Sequence, residues 1–279
     1  MYELKDISVI IPTYNRADDL RDTIKSFSGQ LPRIGEVIIV DQSTNGEVKK
    51  AIASLKSKKI RYYYSKIPSL TRARNIGAKY ASRGCRIVLF LDDDVSLDSG
   101  YFAALLDVFN EYAEAKGVAG YYFSPERSMS RVEKKLRNLF FIEHVDENCA
   151  KVLSAYGAVY PDQLTHTIRA MWMPGFNMAF KKEIFDELQF DENLSRYALA
   201  EDFDFTYRLY KKYPDSLFMT PRAMLIHRVS AVERYPTEKA AYMNQIHHFY
   251  LHFKNFNSVG EKLRFVWCLT GIFLLRVLQ

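Results

Sequence analysis

The run Ile87-Val88-Leu89-Phe90-Leu91, followed at once by Asp92-Asp93-Asp94, restricts this chain more than any other stretch. Five consecutive apolar residues read as a strand covered on both faces, as in a sheet with helices above and below it. Three carboxylates at its end repel one another, more strongly as the surroundings dry, so a cation or a set of donors must offset their charge. Carboxylate oxygens suit Mg²⁺ or Mn²⁺, ions that keep positions open for phosphate oxygens. Ligands of α/β sheets also lie just past the carboxyl ends of strands. A solvated acidic turn ahead of a helix over Tyr101 to Tyr112, capped by Asp98 or Ser99, accounts for the same residues without a function.

Upstream, Ile7 to Ile11 is a strand stopped by Pro12, and Thr13-Tyr14-Asn15-Arg16 makes the turn into a helix from Ala17 to Phe27 with Leu20, Ile24 and Phe27 on one face. Val37 to Val40 forms a strand ending in Asp41, then a polar turn from Gln42 to Gly46 that contains Ser43, and a helix through Leu55. A third strand, Ile60 to Tyr64, precedes a helix from Leu70 to Ala81. Units this short predict an α/β fold with a mainly parallel sheet and right-handed crossovers. Parallel order puts the turns at Pro12 to Asn15, Asp41 to Thr44 and Asp92 to Asp94 on one edge. A nucleotide fits there with its base near the first two and its diphosphate near the third. Arg72, Arg74 and Asn75 open the helix before the Asp strand, where guanidinium groups act with the helix N-terminus on an anion. A basic solvent face is the alternative.

A length of 279 residues fits one large α/β domain, or one with an appendage. Lys plus Arg exceed Asp plus Glu by 39 to 33, which favours anionic partners. The arginines are too scattered for a nucleic-acid interface. Cys85, Cys149 and Cys268 are far apart and odd in number, so neither a disulfide framework nor a zinc site is expected, and a reducing, cytoplasmic compartment is. Met1 to Asp6 is charged and lacks the apolar segment of a signal peptide. The longest uncharged apolar run, Phe265 to Leu275, has eleven residues, short of an ordinary spanning helix.

From Gly117 to Met171 the pattern weakens, apart from an amphipathic helix over Ser130 to Phe141, and the region reads as substrate-specific loops. Met173 to Phe180 is a turn and strand, followed by a helix at Lys182 to Glu187. Glu201 and Asp202 stand at the start of a helix carrying Phe205 and Leu209 on one face, where the helix dipole alone favours acidic residues. His227, after the strand-like run Ala223 to Ile226, reads by itself as a hydrogen-bonded structural residue. The tail, Thr237 to Gln279, is helical and mixes Tyr242, Phe249, Phe253, Phe265, Trp267 and Phe273 with basic residues. Three uses are open for it: an anionic membrane surface, packing on its own domain, or a homo-oligomer.

Taken in order, Val9-Ile10-Ile11-Pro12-Thr13-Tyr14-Asn15-Arg16, Val37 to Asp41 with Ser43, Arg74-Asn75-Ile76-Gly77, Leu91-Asp92-Asp93-Asp94, Gly175-Phe176-Asn177-Met178, Glu201-Asp202 and His227 resemble family 2 glycosyltransferases over Ile7 to Ser230. The resemblance implies a GT-A catalytic domain over residues 1–236, with a nucleotide-binding half at 1–116 and an acceptor half at 117–236, ahead of the helical tail at 237–279. It implies that Pro12, Tyr14 and Asp41 hold the base. Thr13, Asn15, Arg16, Ser43, Arg72, Arg74, Asn75, Asp92 and Asp93 would complete the nucleotide-sugar site, with Arg72 or Arg74 near the phosphates. Asp94 and His227 would bind Mn²⁺ or Mg²⁺, and Asp202 would be the general base with Glu201 beside it. The implied reaction is inverting transfer from a UDP-sugar or dTDP-rhamnose to a glycan or lipid-linked acceptor, in surface polysaccharide or O-antigen synthesis on the cytoplasmic membrane face. A nucleotidyltransferase would need no base such as Asp202, and an inactive membrane-tethering scaffold would need neither acidic motif.

Overall fold

Alternation within the central strands sorts the core into two faces. In the computed structural model, which describes residues 1–122, 130–155, 157–194, 198–230, 232 and 237–277, β1 (Ile7–Thr13), β2 (Glu36–Asp41) and β4 (Ile87–Leu91) are buried along their whole length. Val9, Ile11, Val37, Ile39, Leu89 and Leu91 face α1 (Ala17–Ser26), α2 (Glu47–Ser54) and α4 (Tyr101–Glu111), packing on Leu20, Ile24, Val48 and Phe102. Ile10, Ile38, Val40, Val88 and Phe90 face the other way, towards Ala73 and Ala78 of α3 (Leu70–Tyr80) and Phe205 and Leu209 of α6 (Glu201–Lys212). Gly77 lets α3 sit this close, since a Cβ there would stand 2.3 Å from Ile10 Cγ2.

β1 runs two residues past its expected end. Its pairing with β4 stops at Ile10, so Pro12 lies where only β2 flanks the strand, and a missing N–H is tolerated there. With β3 (Ile60–Tyr64), these strands form the parallel block β3-β2-β1-β4. Beyond β4 the sheet continues through β11 (Asn177–Lys181), β6 (Gly117–Tyr122), β12 (Leu217–His227) and β10 (Ile168–Ala170). β11 is antiparallel to both β4 and β6, and β12 is parallel to β6. Val95–Leu97 is a separate strand, β5, paired antiparallel with the end of β12. The helix expected at Lys182 to Glu187 is a 3₁₀ turn over Lys182–Asp186.

The weakly patterned region holds α5 (Arg131–Leu139) and a small sheet in the order β7-β9-β8, formed by β7 (His144–Glu147), β8 (Lys151–Val152) and β9 (Ala158–Asp162). The tail is a pair of helices, α7 (Thr237–Asn255) and α8 (Val259–Val277); the boundary expected at residue 236 lies outside the described residues. Leu251 and Phe256 enter the core, and Phe265 and Cys268 pack on Phe140, Ile142 and Ala155. Lys254 reaches Asp191 at 2.5 Å and Asp204 at 2.9 Å. Each helix still turns an apolar stripe outward: Tyr242, Ile246, Phe249 and Phe253 on α7, and Leu263, Val266, Phe273 and Leu274 on α8. No helix among the described residues is long and apolar enough to cross a membrane.

Candidate functional site

Three strand ends meet at one rim. The turns after β1 and β2 are tied together: Asn15, at φ 55°, donates its amide to Ser43 Oγ at 2.8 Å, and its side chain accepts from the Thr44 amide at 3.1 Å. Asp41 is buried and already engaged, accepting from the Ser43 amide at 2.8 Å and the Tyr62 hydroxyl at 2.6 Å. Pro12 and Tyr14 flank Thr13, whose hydroxyl donates to Asp93 at 2.7 Å and so links the first turn to the acidic triplet.

The triplet is not uniform. Asp93 is enclosed, and burial pushes its carboxyl up to about 7 against the opposing pull of Arg16 and Thr13. Arg16 Nη1 lies 3.2 Å from Asp93 and 3.7 Å from Asp94, so its guanidinium points into the triplet. For Asp94 burial acts upward too, but His227, the Ser230 amide and Arg16 outweigh it and hold the carboxyl at about 2. His227 arrives through the short ladder in which it pairs with Val95, so three residues of β5 bring the far end of the chain beside Asp94. Its Nε2 lies 3.1 Å from Asp94 Oδ1, a buried oxygen that accepts no other hydrogen bond among the described residues. One ligand atom each from Asp92, Asp94 and His227 falls within 4.8 Å of the others. Two carboxylates and an imidazole converging on a buried, underused oxygen fit a divalent cation of the Mn²⁺ or Mg²⁺ kind.

Asp202 joins this cluster through Arg74 and Gly175. Arg74 is 1% exposed; its guanidinium pairs with Glu201, lies 3.4 Å from Asp92 and donates to the Gly175 carbonyl at 3.0 Å. The Gly175 amide donates to Asp202 Oδ2 at 2.6 Å, and the Phe203 amide donates to Oδ1 at 2.8 Å. A Cβ on Gly175 would stand 2.9 Å from Arg74 Nη2 and 3.1 Å from Asp202, so a side chain there would push the two apart. Pairing of Asn177 with Leu91 sets Phe176 opposite Asp92, which carries Gly175 to the rim. The Phe176 ring then stacks on His227 at 4.6 Å. Burial raises the Asp202 carboxyl, opposed by Arg74 and the two amides. Burial, and next the Asp202 charge, push Glu201 up to about 8.

Thus Asp92, Asp94, His227, Arg74 and Asp202 form one connected group. Three side chains differ from their sequence-based placement. Arg74 is turned into the core rather than toward a phosphate. Arg72, two residues earlier and so about 200° round the helix, is exposed instead. Asn75 is committed to Phe190 and Glu192, donating to both at 3.0 Å and accepting the Phe190 amide at 2.9 Å, which leaves it holding a loop. Glu201 faces Arg74 inside the core. Ser230, whose amide donates to Asp94 at 2.9 Å, and Tyr62 went unnoticed because neither sits in a motif; only the fold brings them to the rim.

The sequence model of Glycosyl transferase family 2 matches residues 8–189. A GalNAc(5)-diNAcBac-PP-undecaprenol beta-1,3-glucosyltransferase of Campylobacter jejuni is 34% identical over 118 residues, covering 40% of this chain and 37% of that protein. Glycosyltransferase GlyA of Streptococcus pneumoniae is 28% identical over 179 residues, covering 58% and 25%. The chain thus spans well under half the length of the curated relatives it matches. In fold it is similar to GalNAc-T7, solved with UDP, GalNAc and Mn²⁺, at a TM-score of 0.63 and 18% identity, covering 82% of this chain and 45% of that one.

Proposed function

The chain belongs to glycosyl transferase family 2, and from that premise we propose that it moves a sugar from a nucleotide-sugar donor, of UDP-sugar or dTDP-rhamnose type, to a hydroxyl of a glycan or lipid-linked acceptor. The observation that carries the reading is the bridge from Asp202 through Gly175 and Arg74 to Asp92, which joins a base to an acidic cluster at one sheet rim. The turns holding Pro12, Thr13, Tyr14, Asn15, Asp41 and Ser43 take the nucleotide, and exposed Arg72 meets its phosphates. A divalent cation held by Asp94 and His227, with Asp92 beside them, would offset the negative charge that grows on the departing diphosphate.

The chain's own groups do the rest. Arg16 balances Asp93, and Arg74 balances Asp92 and Glu201, so the acidic rim is held in place before substrate arrives. Asp202 takes the proton of the acceptor hydroxyl as its oxygen attacks. The two amides orient its carboxylate, and each oxygen retains a lone pair for the hydroxyl. Burial strengthens its hold on a proton, and the Arg74 charge acts in the opposite sense. One displacement from the face opposite the diphosphate inverts the anomeric carbon, so no carboxylate nucleophile is required. Glu201, closed against Arg74, is a positioning residue.

A lipid-linked acceptor places the work at a bilayer. The outward apolar stripes of α7 and α8, with exposed Lys239, Lys262 and Arg264 nearby, suit the interface of an anionic membrane on its cytoplasmic face. The undecaprenol in the name of the Campylobacter relative supports this reading.

The test combines calorimetry of UDP binding, with and without Mn²⁺, and release of nucleoside diphosphate from a panel of nucleotide sugars. Asp202→Asn is expected to keep Mn²⁺-dependent UDP binding while turnover falls about 10²–10⁴-fold. Asp94→Ala is expected to lose both. Turnover of Asp202→Asn at the wild-type rate would sink the base assignment.

A further inference from the structure

Arg16 brings a positive charge to the acidic triplet from the turn after β1. Its carbonyl accepts the Leu20 amide at 3.0 Å and so opens α1, which fixes the main chain at the end of that turn. From there the side chain, 13% exposed, places Nη1 3.2 Å from Asp93 Oδ1 and 3.7 Å from Asp94 Oδ2, while Nε donates to the Val232 carbonyl at 2.8 Å. The neighbouring guanidinium groups are engaged elsewhere: Arg74 has Glu201 as a counter-ion inside the core, and Arg228 donates to the Asp19 carbonyl and the Thr23 hydroxyl on α1.

Asp94 divides its two oxygens. Oδ2 accepts the Ser230 amide at 2.9 Å and faces Arg16, whereas Oδ1 is turned to His227 and is the buried, underused acceptor. A divalent cation set among Asp92, Asp94 and His227 would therefore share one carboxylate with a guanidinium. Like charges this close are poorly screened at a rim where Asp93 and Asp94 are 4% and 2% exposed. Burial raises both carboxyls, and the Arg16 charge is among the forces that pull each back, so its field reaches both residues. A nucleoside diphosphate changes the balance, because its negative oxygens answer the cation and the guanidinium together.

We propose that Arg16 holds down the affinity of the bare site for a divalent cation, so that cation and nucleoside diphosphate load as a pair; the claim rests on the nucleotide-sugar reading above. Binding is then coupled in both directions: UDP raises the affinity for the cation by the same factor as the cation raises that for UDP. A role for Arg16 as a clamp alone, tying the turn after β1 to Asp93 and Val232, predicts the reverse. Loss of a clamp loosens the carboxylates and weakens cation binding. Loss of a competing charge tightens it.

The experiment titrates Mn²⁺ into the full chain with and without UDP, free Mn²⁺ being read by electron paramagnetic resonance. In the wild type, UDP is expected to raise the affinity for Mn²⁺ about tenfold or more. Arg16→Gln should bind Mn²⁺ without UDP about tenfold or more tighter than wild type, and the gain conferred by UDP should shrink by a similar factor. Arg16→Lys, which keeps the charge and gives up the planar contacts of the guanidinium, should stay close to wild type. Binding without UDP that is unchanged or weaker in Arg16→Gln, or as tight in Arg16→Lys as in a tightened Arg16→Gln, overturns the proposal. A wild type that binds UDP and yet holds Mn²⁺ equally well with and without it overturns the proposal too, whether or not the variants fold. Failure of UDP to bind under any condition would overturn the nucleotide reading instead, while the comparison of Arg16→Gln with wild type on Mn²⁺ alone would still decide the role of Arg16.

Discussion

Replacing Arg74 by methionine keeps the apolar stem of the side chain and removes the guanidinium. The structure fixes what is then stranded. Glu201, with a side chain 7% exposed, loses its ion pair, Asp92 loses a neighbouring charge, and the Gly175 carbonyl loses its donor. Breaking a buried pair by deleting one partner costs about 3–5 kcal/mol, because the remaining charge is left without compensation. For a chain of this length about 2 °C of melting temperature follows each kcal/mol, so the midpoint should fall by about 6–10 °C. Urea unfolding followed by the fluorescence of Trp172 and Trp267 reads the difference directly. Adding Glu201→Gln to Arg74→Met removes the stranded charge and should restore half or more of the loss. An Arg74→Met variant within about 1 kcal/mol of wild type, or no recovery in the double variant, would refute the view that Arg74 serves as the internal counter-ion of the site.

Asp191 gives a pH dependence. Burial acts upward on its carboxyl, but Lys254, the Tyr250 hydroxyl and the Asn193 amide outweigh it and hold it at about 2, below the usual 3.8. Its stabilisation of the α7 contact is therefore complete above pH 4 or so and lost as pH falls from there toward 2, by about 2 kcal/mol; hydrogen-exchange protection of α7 should fall over that window in wild type and show no such step in Asp191→Asn. For the membrane face, co-sedimentation with phosphatidylglycerol vesicles should weaken about tenfold or more in a Phe273→Ser, Leu274→Ser variant, and a wild-type chain that stays in the supernatant would contradict the assignment.

Much of the nucleotide-side half was legible because its signals are local. A strand buried on both faces must be apolar throughout, which is why Ile87 to Leu91 and Val37 to Val40 declared themselves, and short strand–helix units leave few topologies open. The rotation of a helix about its axis is a different matter. The residues at 72, 74 and 75 share one turn of α3, and only packing against α6 decided that Arg74 enters the core, Arg72 faces solvent and Asn75 clamps the loop at Phe190. The small sheet around Tyr160 was illegible because strands of two to five residues carry too little periodicity to be told from loops.

The sequence by itself determined which residue types could do chemistry: three carboxylates after a core strand, an acidic pair at a helix start, a histidine at a strand end. Tertiary structure alone decided that they meet. The three-residue ladder of β5 with β12 sets His227 beside Asp94, and the antiparallel register of β11 on β4 brings Gly175 between Arg74 and Asp202. Strand register depends on what each face buries across the whole sheet, so no local pattern contains it.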